Sequence, residues 1–232
     1  MHNNFTLREW DSQFFNRRIF SFELPVIEIA SHDWPKNSLT TIKVLSSDSS
    51  FLDEVNRHGF SFVEVELVFK KAVPVTTKLA SLTDFDAFIT TENSIAELKL
   101  LVSDLYVNSR FREPWFTATE RNSFYQMWVE NAVLAKFDDC CLVLKNEGSI
   151  SGFVTIRIRE SEATIGLIGV AEPFQGQGIG KRLLELVQDY CVSKKATVIK
   201  VATQTSNISA ANLYSKTGFA IADISYWFYK QV

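Results

Sequence analysis

The segment from residue 175 to residue 180 has the composition of an anion-binding loop. It reads Gln175-Gly176-Gln177-Gly178-Ile179-Gly180, with an apolar strand-like run before it and an amphipathic helical pattern, 178–192, after it. The N–H groups that open a helix have no partner within the helix, and the helix dipole favours negative charge beside them. Glycine lets the backbone approach a phosphate without an intervening Cβ. The segment therefore predicts a phosphate-binding site.

The spacing excludes two common nucleotide-binding loops. A Walker A loop ends in Gly-Lys-Ser/Thr, but Lys181 is followed by Arg182, and its first glycine would fall on Gln175. A dinucleotide fingerprint, Gly-x-Gly-x-x-Gly, would need its third glycine at Lys181 or at Leu183. The pattern that remains is Gln/Arg-x-x-Gly-x-Gly/Ala.

That pattern and a second block resemble the GNAT (GCN5-related) N-acetyltransferase superfamily over residues 84–232. The loop supplies Gln175, Gly178 and Gly180. The second block supplies, at the family's spacing, Asn207, Ala210, Tyr214, Gly218 and Phe219. The resemblance implies an α/β fold with a mixed, mostly antiparallel sheet flanked by helices. It also implies acetyl-CoA as co-substrate and no metal.

The resemblance assigns the CoA arm mainly to backbone groups. Loop N–H groups would bind the pyrophosphate, and pantetheine would insert like an extra strand where the strand 165–170 separates from the strand 198–203. The implied cofactor-binding residues are Leu167, Ile168, Gly169, Val170, Gln175, Gly176, Gln177, Gly178, Ile179, Gly180, Lys181 and Asn207. Asn207 has the alternative role of a helix cap, and Lys181 that of a solvated cation.

Tyr214 is the residue to which the resemblance assigns catalysis. A phenol with a pKa of about 10 stays protonated at neutral pH and can donate a proton to a departing thiolate. The alternative is a tyrosine of the core. A backbone N–H around 168–170 would hold the thioester oxygen. The general base stays unassigned: strands 164–170 and 197–203 contain no carboxylate. The amine would lose its proton either through a water relay, or because its own pKa is low, or to the carboxylate of Glu147, Glu160 or Glu162.

Five further segments resemble one GNAT branch, the dTDP-fucosamine acetyltransferases: 10–15, 109–115, 128–132, 201–204 and 225–229. That branch N-acetylates dTDP-4-amino-4,6-dideoxygalactose in the synthesis of enterobacterial common antigen. The resemblance therefore implies a nucleotide-sugar substrate.

The loop 109–115 has side chains suited to such a substrate. Arg110 and Arg112 would pair with phosphate oxygens, and Phe111, Trp115 or Phe116 would stack on thymine. We predict Arg110, Arg112 and Trp115 as substrate-binding residues. The alternative is a structural loop whose aromatic side chains pack on the core.

Two other functions remain open at this point. One keeps the fold but acetylates another amine, such as a protein N-terminus, an amino acid or a polyamine. The other is a non-catalytic GNAT domain that binds CoA or a protein partner. The intact loop and Tyr214 argue against the second function.

Residue patterns divide the chain into two predicted domains. Residues 1–75 form a smaller non-catalytic α/β domain and residues 84–232 the catalytic domain, with a linker at 70–83. Ser94 and Glu97 predict a capping box for a helix over 95–107. A loose internal repeat relates 42–70 to 199–230, which suggests that the first domain is a truncated relative of the second. The alternative is that any two strand–helix–strand units look alike.

Composition narrows the classes of partner. A net charge of −3, without a basic run, argues against nucleic acid. No apolar stretch reaches the ~18 residues of a membrane span, and the charged N-terminus is unlike a signal peptide. Three cysteines lack metal-ligand spacing and suit reduced thiols in a cytoplasmic protein. A homodimer is left open.

Overall fold

The computed structural model describes residues 5–23, 34–74 and 87–232. The chain divides into two compact units. Unit 1 comprises Met1–Leu67 and Asp223–Val232, and unit 2 comprises Val68–Ala222.

Unit 1 is built on a small mixed sheet with short helices. Its elements are β1 (Phe5–Leu7), α1 (Glu9–Phe14), β2 (Arg18–Phe22), β3 (Ser38–Leu45), α2 (Leu52–Arg57), the first part of β4 (Ser61–Ala72) and most of β10 (Ala220–Gln231). A 3-10 helix, Ser46–Phe51, leads into α2. Strand β2 is antiparallel to β1 and parallel to β3, and β3 is antiparallel to β10.

The core of unit 1 is aromatic and lies on the face of its sheet that carries α2. Its buried members are Phe22, Trp34, Ile42, Val44, Val55, Phe60 and Phe228. The Lys230 ammonium lies over the Trp34 ring, 4.1 Å from its centroid, and donates to the His58 carbonyl at the end of α2. This cation satisfies a terminal helix carbonyl while its stem covers aromatic surface.

Unit 2 contains the rest of the chain. Its elements are the end of β4, β5 (Ala87–Ile89), α3 (Ile95–Leu105), α4 (Ala118–Val133), β6 (Cys140–Asn146), β7 (Ser149–Arg159), β8 (Glu162–Val170), α5 (Ile179–Ser193), β9 (Val198–Gln204), α6 (Ile208–Lys216) and the start of β10. Short 3-10 helices at Glu92–Ser94 and Glu172–Phe174 precede α3 and the glycine loop.

The sheet of unit 2 is mixed and mostly antiparallel. Strands β5 to β8 pair with their sequence neighbours in antiparallel fashion, and β8 pairs with β9 in parallel. A parallel neighbour needs a crossover, which α5 supplies. The predicted fold class, a mixed α/β sheet flanked by helices, is confirmed.

Two glycines allow helices to approach opposite faces of β7 and β8. A Cβ on Gly152 would lie 2.9 Å from the Ile179 side chain of α5. A Cβ on Gly169 would lie 2.4 Å from Leu105, at the end of α3. Because Gly169 pairs with Phe153, next to Gly152 in the chain, the two glycines face opposite sides of the sheet. Helix α5 therefore covers one face and α3 the other.

The predicted capping box at Ser94 is wrong. The Ser94 side chain makes no cap hydrogen bond at the start of α3. The Glu97 carboxylate instead accepts from the Ile150 N–H at 2.6 Å, because the start of β7 offers it a buried donor. The capping box is at Thr117 and Glu120, and α4 accordingly begins at Ala118.

The predicted domain limits and the compact units differ at both ends of the second domain. The last strand pairs with β3 from Ser225 to Gln231, and residues 223–232 accordingly belong to unit 1. Strand β4 extends to Ala72, into the predicted linker 70–83. The rest of that linker and the start of the second domain near residue 85 lie largely outside the described residues. The non-catalytic role of residues 1–75 stays a prediction.

The segments of the predicted internal repeat share local features. In each, a strand leads to a short helix, a glycine of positive φ and a buried phenylalanine: Gly59-Phe60 in unit 1 and Gly218-Phe219 in unit 2. The Lys71 ammonium donates to the carbonyl of Thr217 at the end of α6, as Lys230 does at the end of α2. Common ancestry of the two segments stays a prediction.

Replacing Thr117 with alanine should lower the free energy of unfolding by about 1 kcal/mol, because the N–H of Glu120 loses its acceptor. Ser94→Ala is the matched control and should cost clearly less, since that side chain caps nothing. Urea unfolding of both variants measures the difference. Equal losses would contradict the assignment of the cap.

Candidate functional site

Strands β8 and β9 separate partway along their length. They pair from Glu162 to Ile165 on β8, opposite Val198 to Val201 on β9. Strand β8 continues to Val170 and β9 to Gln204, but the two strands do not pair with each other beyond Ile165 and Val201. The separation predicted from the sequence is thus present, and residues 166–170 form an open edge of β8.

Backbone groups of alternate residues face that open edge. The N–H of Ala171 donates to the Ser151 carbonyl of β7. Because backbone groups alternate in direction along a strand, those of Gly169 also point to β7, whereas those of Ile168 and Val170 point away from it. The Ile168 carbonyl accepts from the Tyr106 hydroxyl at 3.1 Å. The Val170 carbonyl accepts from the side-chain amide of Gln175 at 3.2 Å.

A β-bulge lies where the strands separate. Gly166 and Leu167 together oppose the single residue Thr155 on β7, whose hydroxyl accepts from the Leu167 N–H at 2.8 Å. A Cβ on Gly166 would lie 2.5 Å from an oxygen of the buried Asp138 side chain. The predicted set 167–170 is thereby divided: Leu167 and Gly169 are engaged toward β7, whereas Ile168 and Val170 face the open edge.

The three glycines of the loop have different structural roles. Gly176 and Gly178 have φ values of +75° and +83°, which other residues rarely adopt, and a Cβ on either would meet no atom within 4 Å. Gly180 instead permits close packing, because its Cβ would lie 2.9 Å from Leu213 on α6. The loop therefore needs glycine twice for its turn and once for contact between α5 and α6.

The loop leaves the start of α5 accessible. Gly178 is the N-cap residue, and no side chain caps the helix or places an acidic group in its first turn. Gln177 donates to the Pro173 carbonyl at 2.9 Å, which holds the loop in its turn. Lys181 is exposed, and its ammonium lies 3.8 Å from a carboxylate oxygen of Glu185, one turn further along the helix. Free amides, a 15-residue helix dipole and exposure suit an anion.

Tyr214 lies on α6 and is only 2% exposed. Its ring packs between those of Phe69 and Phe219, with centroids at 5.3 Å and 5.9 Å. Burial raises the pKa of the Tyr214 phenol above its usual value. A second tyrosine, Tyr106, is close enough for the two phenols to interact electrostatically, and burial raises its pKa also. Both hydroxyls therefore keep their protons at neutral pH.

The end of β9 joins the site to the loop after α3. Asn207 caps α6, its side-chain oxygen accepting from the N–H of Ala210 at 3.2 Å. Gln204, with its amide oriented to suit both neighbours, donates to the Asn108 carbonyl at 2.6 Å and accepts from the Arg110 N–H at 2.8 Å. Asn207 is thus a helix cap, and its contact with pantetheine stays a prediction.

The aromatic side chains of the loop 109–115 and of the next residue, Phe116, differ in burial. Phe111 and Phe116 are 6% and 3% exposed and pack together with Phe124 of α4. Neither offers a face to a nucleotide base, because each ring fills the space beneath the loop. Trp115 is half-buried and stays the candidate for stacking.

The two predicted arginines differ in exposure. Arg112 is exposed, and its guanidinium donates to the Glu113 carbonyl at 3.0 Å. Arg110 is half-buried and lies over the Phe111 ring, 4.3 Å from its centroid. Their contact with a substrate phosphate stays a prediction.

The candidate carboxylates for a general base lie in turns or ion pairs. Glu147 and Glu160 are exposed turn residues with positive φ, and Glu162 pairs with Lys200 where β8 and β9 still run together.

Among residues 5–23, 34–74 and 87–232, no group of three or more His, Cys, Asp or Glu side chains is placed to hold a metal ion. In the same part of the chain, no helix combines the length and apolarity needed to cross a membrane.

The three cysteines are free and buried. Burial raises the pKa of Cys191 to about 12 and also raises that of Cys140, whose thiol shares a hydrogen bond with Tyr190. Thiols that stay protonated and covered are unreactive, so they belong to the core.

Sequence reasoning did not identify several residues of this site. Tyr106, Gln204, Thr155 and Asp138 act through contacts more than ten residues away in the chain, or through a strand bulge. Tyr106 carried one usable signal, since it lies one residue before the end of the predicted helix 95–107. Gln204 lies in the resembling segment 201–204, whereas Thr155 and Asp138 lie within or beside ordinary strands and carry no signal.

The sequence is similar to those of known acetyltransferases. The model of the acetyltransferase (GNAT) family matches residues 102–219, which are 118 of the 232 residues. The dTDP-fucosamine acetyltransferase of Escherichia coli O6:H1 is 33% identical over 190 residues, covering 81% of this chain and 80% of that protein.

Solved structures share the fold at low sequence identity. A conserved protein of unknown function from Staphylococcus epidermidis superposes with a TM-score of 0.60 at 20% identity, over 84% of this chain and 73% of the other. A GCN5-related N-acetyltransferase from Sphaerobacter thermophilus gives a TM-score of 0.57 at 18% identity, over 86% and 62%.

Replacing Gly178 with alanine should weaken CoA binding at least about tenfold, since the strained loop would redirect the amides that open α5. Gly148→Ala is a matched control, because Gly148 also has positive φ (+85°) and open space around its Cβ, but lies in the β6–β7 turn. Both variants should lose about 1 kcal/mol of unfolding free energy.

Calorimetric titration with CoA and urea unfolding test these expectations. Weakened CoA binding in both variants, or in neither, would contradict the role of the loop.

Proposed function

Since this chain belongs to the GNAT acetyltransferase family, we propose that it transfers acetyl from acetyl-CoA to the 4-amino group of a dTDP-4-amino-4,6-dideoxyhexose. One observation carries the acetyl-CoA part: the open edge of β8 is followed by a glycine loop and the uncapped start of α5. A pantetheine arm offers amide groups to such an edge, and a pyrophosphate suits the helix start.

The acceptor is proposed from the relative that acts on dTDP-fucosamine. Its 33% identity extends over four fifths of both chains and is not confined to the CoA loop. The exposed Arg112 and half-buried Trp115 are suited to a diphosphate and a base, as in the sequence prediction. The step would serve surface polysaccharide synthesis, of which enterobacterial common antigen is the case that the resemblance implies.

In the proposed reaction the amine nitrogen attacks the thioester carbonyl carbon. A C–N bond forms and the C–S bond breaks, with its electron pair leaving on sulfur. The departing thiolate takes the proton of the Tyr214 phenol, which burial keeps protonated. The former amine releases one proton to water, and solvent restores the phenol. Backbone N–H groups of the open edge stabilise the negative charge on the thioester oxygen.

Free CoA release tests the acceptor. The protein is incubated with acetyl-CoA and, separately, dTDP-4-amino-4,6-dideoxygalactose, spermidine and a peptide that begins with alanine. We expect release with the sugar nucleotide at a kcat/KM at least about 100-fold above that for the other amines. Faster release with the peptide or spermidine would overturn the acceptor, and no release with any of them would favour a binding module.

Replacing Tyr214 with phenylalanine should lower kcat about 100-fold or more, because the thiolate loses its acid. The pH profile follows from the direction of the pKa shift. Burial raises the pKa above about 10, so the wild-type protein should show no alkaline loss due to this phenol below pH 10. Steady-state rates from pH 6 to pH 10 measure both effects. Unchanged turnover in Tyr214→Phe would contradict the acid role.

A further inference from the structure

The carbonyls at the open edge of β8 each have a side-chain donor. The Tyr106 hydroxyl donates to the Ile168 carbonyl at 3.1 Å, and the Gln175 amide donates to the Val170 carbonyl at 3.2 Å. In a continuous sheet, β9 would satisfy these groups. Here two side chains from separate elements, the end of α3 and the glycine loop, satisfy them instead.

This arrangement fixes the direction of the strand's peptide groups. In an extended residue, the N–H and the carbonyl point toward the same side of the strand. Anchoring the Ile168 carbonyl at the open edge therefore also directs the Ile168 N–H into it. With its carbonyl held by Tyr106, Ile168 presents its N–H to the edge as a donor. Donors are what a thioester oxygen needs as negative charge develops on it.

Tyr106 is held in place by packing on both of its neighbouring elements. It is the C-cap residue of α3, and its ring stacks on that of Tyr125 in α4, with centroids 4.3 Å apart. The end of α3 reaches β8 because Gly169 has no side chain, since a Cβ there would lie 2.4 Å from Leu105. The hydroxyl is thus carried on a rigid support to the open edge.

We propose that Tyr106 is a positioning residue for acetyl transfer, whose hydroxyl anchors the Ile168 carbonyl so that the N–H of the same residue meets the thioester oxygen. The inference rests on the proposed use of acetyl-CoA but not on the identity of the acceptor. Tyr106 and Tyr214 thereby have separate tasks: one orients the backbone donor, and the other supplies the proton.

The division of tasks agrees with the contacts of the two phenols. The Tyr106 hydroxyl gives its hydrogen to a backbone carbonyl, so that hydrogen is already engaged. Burial, more than the nearby Tyr125 and Tyr214, raises the pKa of Tyr106 and keeps the donor protonated. A protonated, engaged phenol suits a fixed support better than a proton source.

The test replaces Tyr106 with phenylalanine, which keeps the ring and its stack on Tyr125 but removes the hydroxyl. Tyr190→Phe is the matched control. It also deletes a hydroxyl that forms a hydrogen bond with a buried partner, Cys140, but on α5 away from the open edge. Dissociation constants for acetyl-CoA and for free CoA are measured by calorimetry, and kcat is measured with the acceptor that the wild-type protein turns over fastest.

For Tyr106→Phe we expect kcat to fall about tenfold, less than for loss of the oxyanion donor itself. The affinity for acetyl-CoA should fall about threefold, and that for free CoA, which lacks the thioester oxygen, should stay within twofold. The midpoint of thermal unfolding should match that of Tyr190→Phe. The alkaline part of the pH profile should match the wild-type protein, since Tyr106 transfers no proton.

Three results would overturn the proposal. They are wild-type kcat in Tyr106→Phe, equal losses of affinity for acetyl-CoA and CoA, and a pH profile of Tyr106→Phe that differs from that of the wild-type protein. The affinity ratio needs no acceptor, so it remains decisive if the sugar nucleotide proves to be the wrong substrate. Failure of the wild-type protein to bind acetyl-CoA would refute the proposed function instead.

A second variant checks the geometry by another route. Gly169→Ala should push the end of α3 away from β8, because Leu105 and Phe153 occupy the space that the new Cβ requires. It should reproduce the lower acetyl-CoA to CoA affinity ratio although Tyr106 is intact. A wild-type ratio in a folded Gly169→Ala protein would contradict the support that α3 gives to Tyr106.

Discussion

Backbone groups that leave a β-ladder need new partners, and this requirement organises unit 2 where β8 separates from β9 after Ile165. The bulge at Gly166–Leu167 redirects the strand, and the Thr155 hydroxyl takes the N–H that the bulge releases. Beyond it, Tyr106 and Gln175 take the two carbonyls that β9 no longer reaches. The N–H groups of Ile168 and Val170 face the same edge, and such donors suit the negative charge that develops on an oxyanion.

The helices around this edge are placed by glycine as much as by apolar side chains. Gly152 admits α5 to one face of β7 and β8, and Gly169 admits α3 to the other. Gly180 brings α5 against α6, whose Tyr214 is buried beside Phe69 and Phe219. Because an added Cβ at these positions would overlap a neighbour, the distances from the helices to the open edge are set by close packing.

The family's chemistry was accessible from the sequence because it depends on local backbone form. Positive φ at Gly176 and Gly178, and an uncapped helix after them, are encoded within a few residues. The cap at Thr117 was missed, and the pair of the same spacing at Ser94 and Glu97 was predicted instead. There, tertiary contact decided: Glu97 found the Ile150 N–H of another strand.

The sequence by itself determined the family, the fold class, the glycine loop and the position of Tyr214 in the chain. The tertiary structure alone decided which groups of 167–170 face the open edge, since strand register and the bulge choose between N–H groups one residue apart. It also decided that Phe111 and Phe116 are core residues and that Tyr106 reaches Ile168. Such choices depend on contacts between segments distant in the chain, and no local pattern of residue types records them.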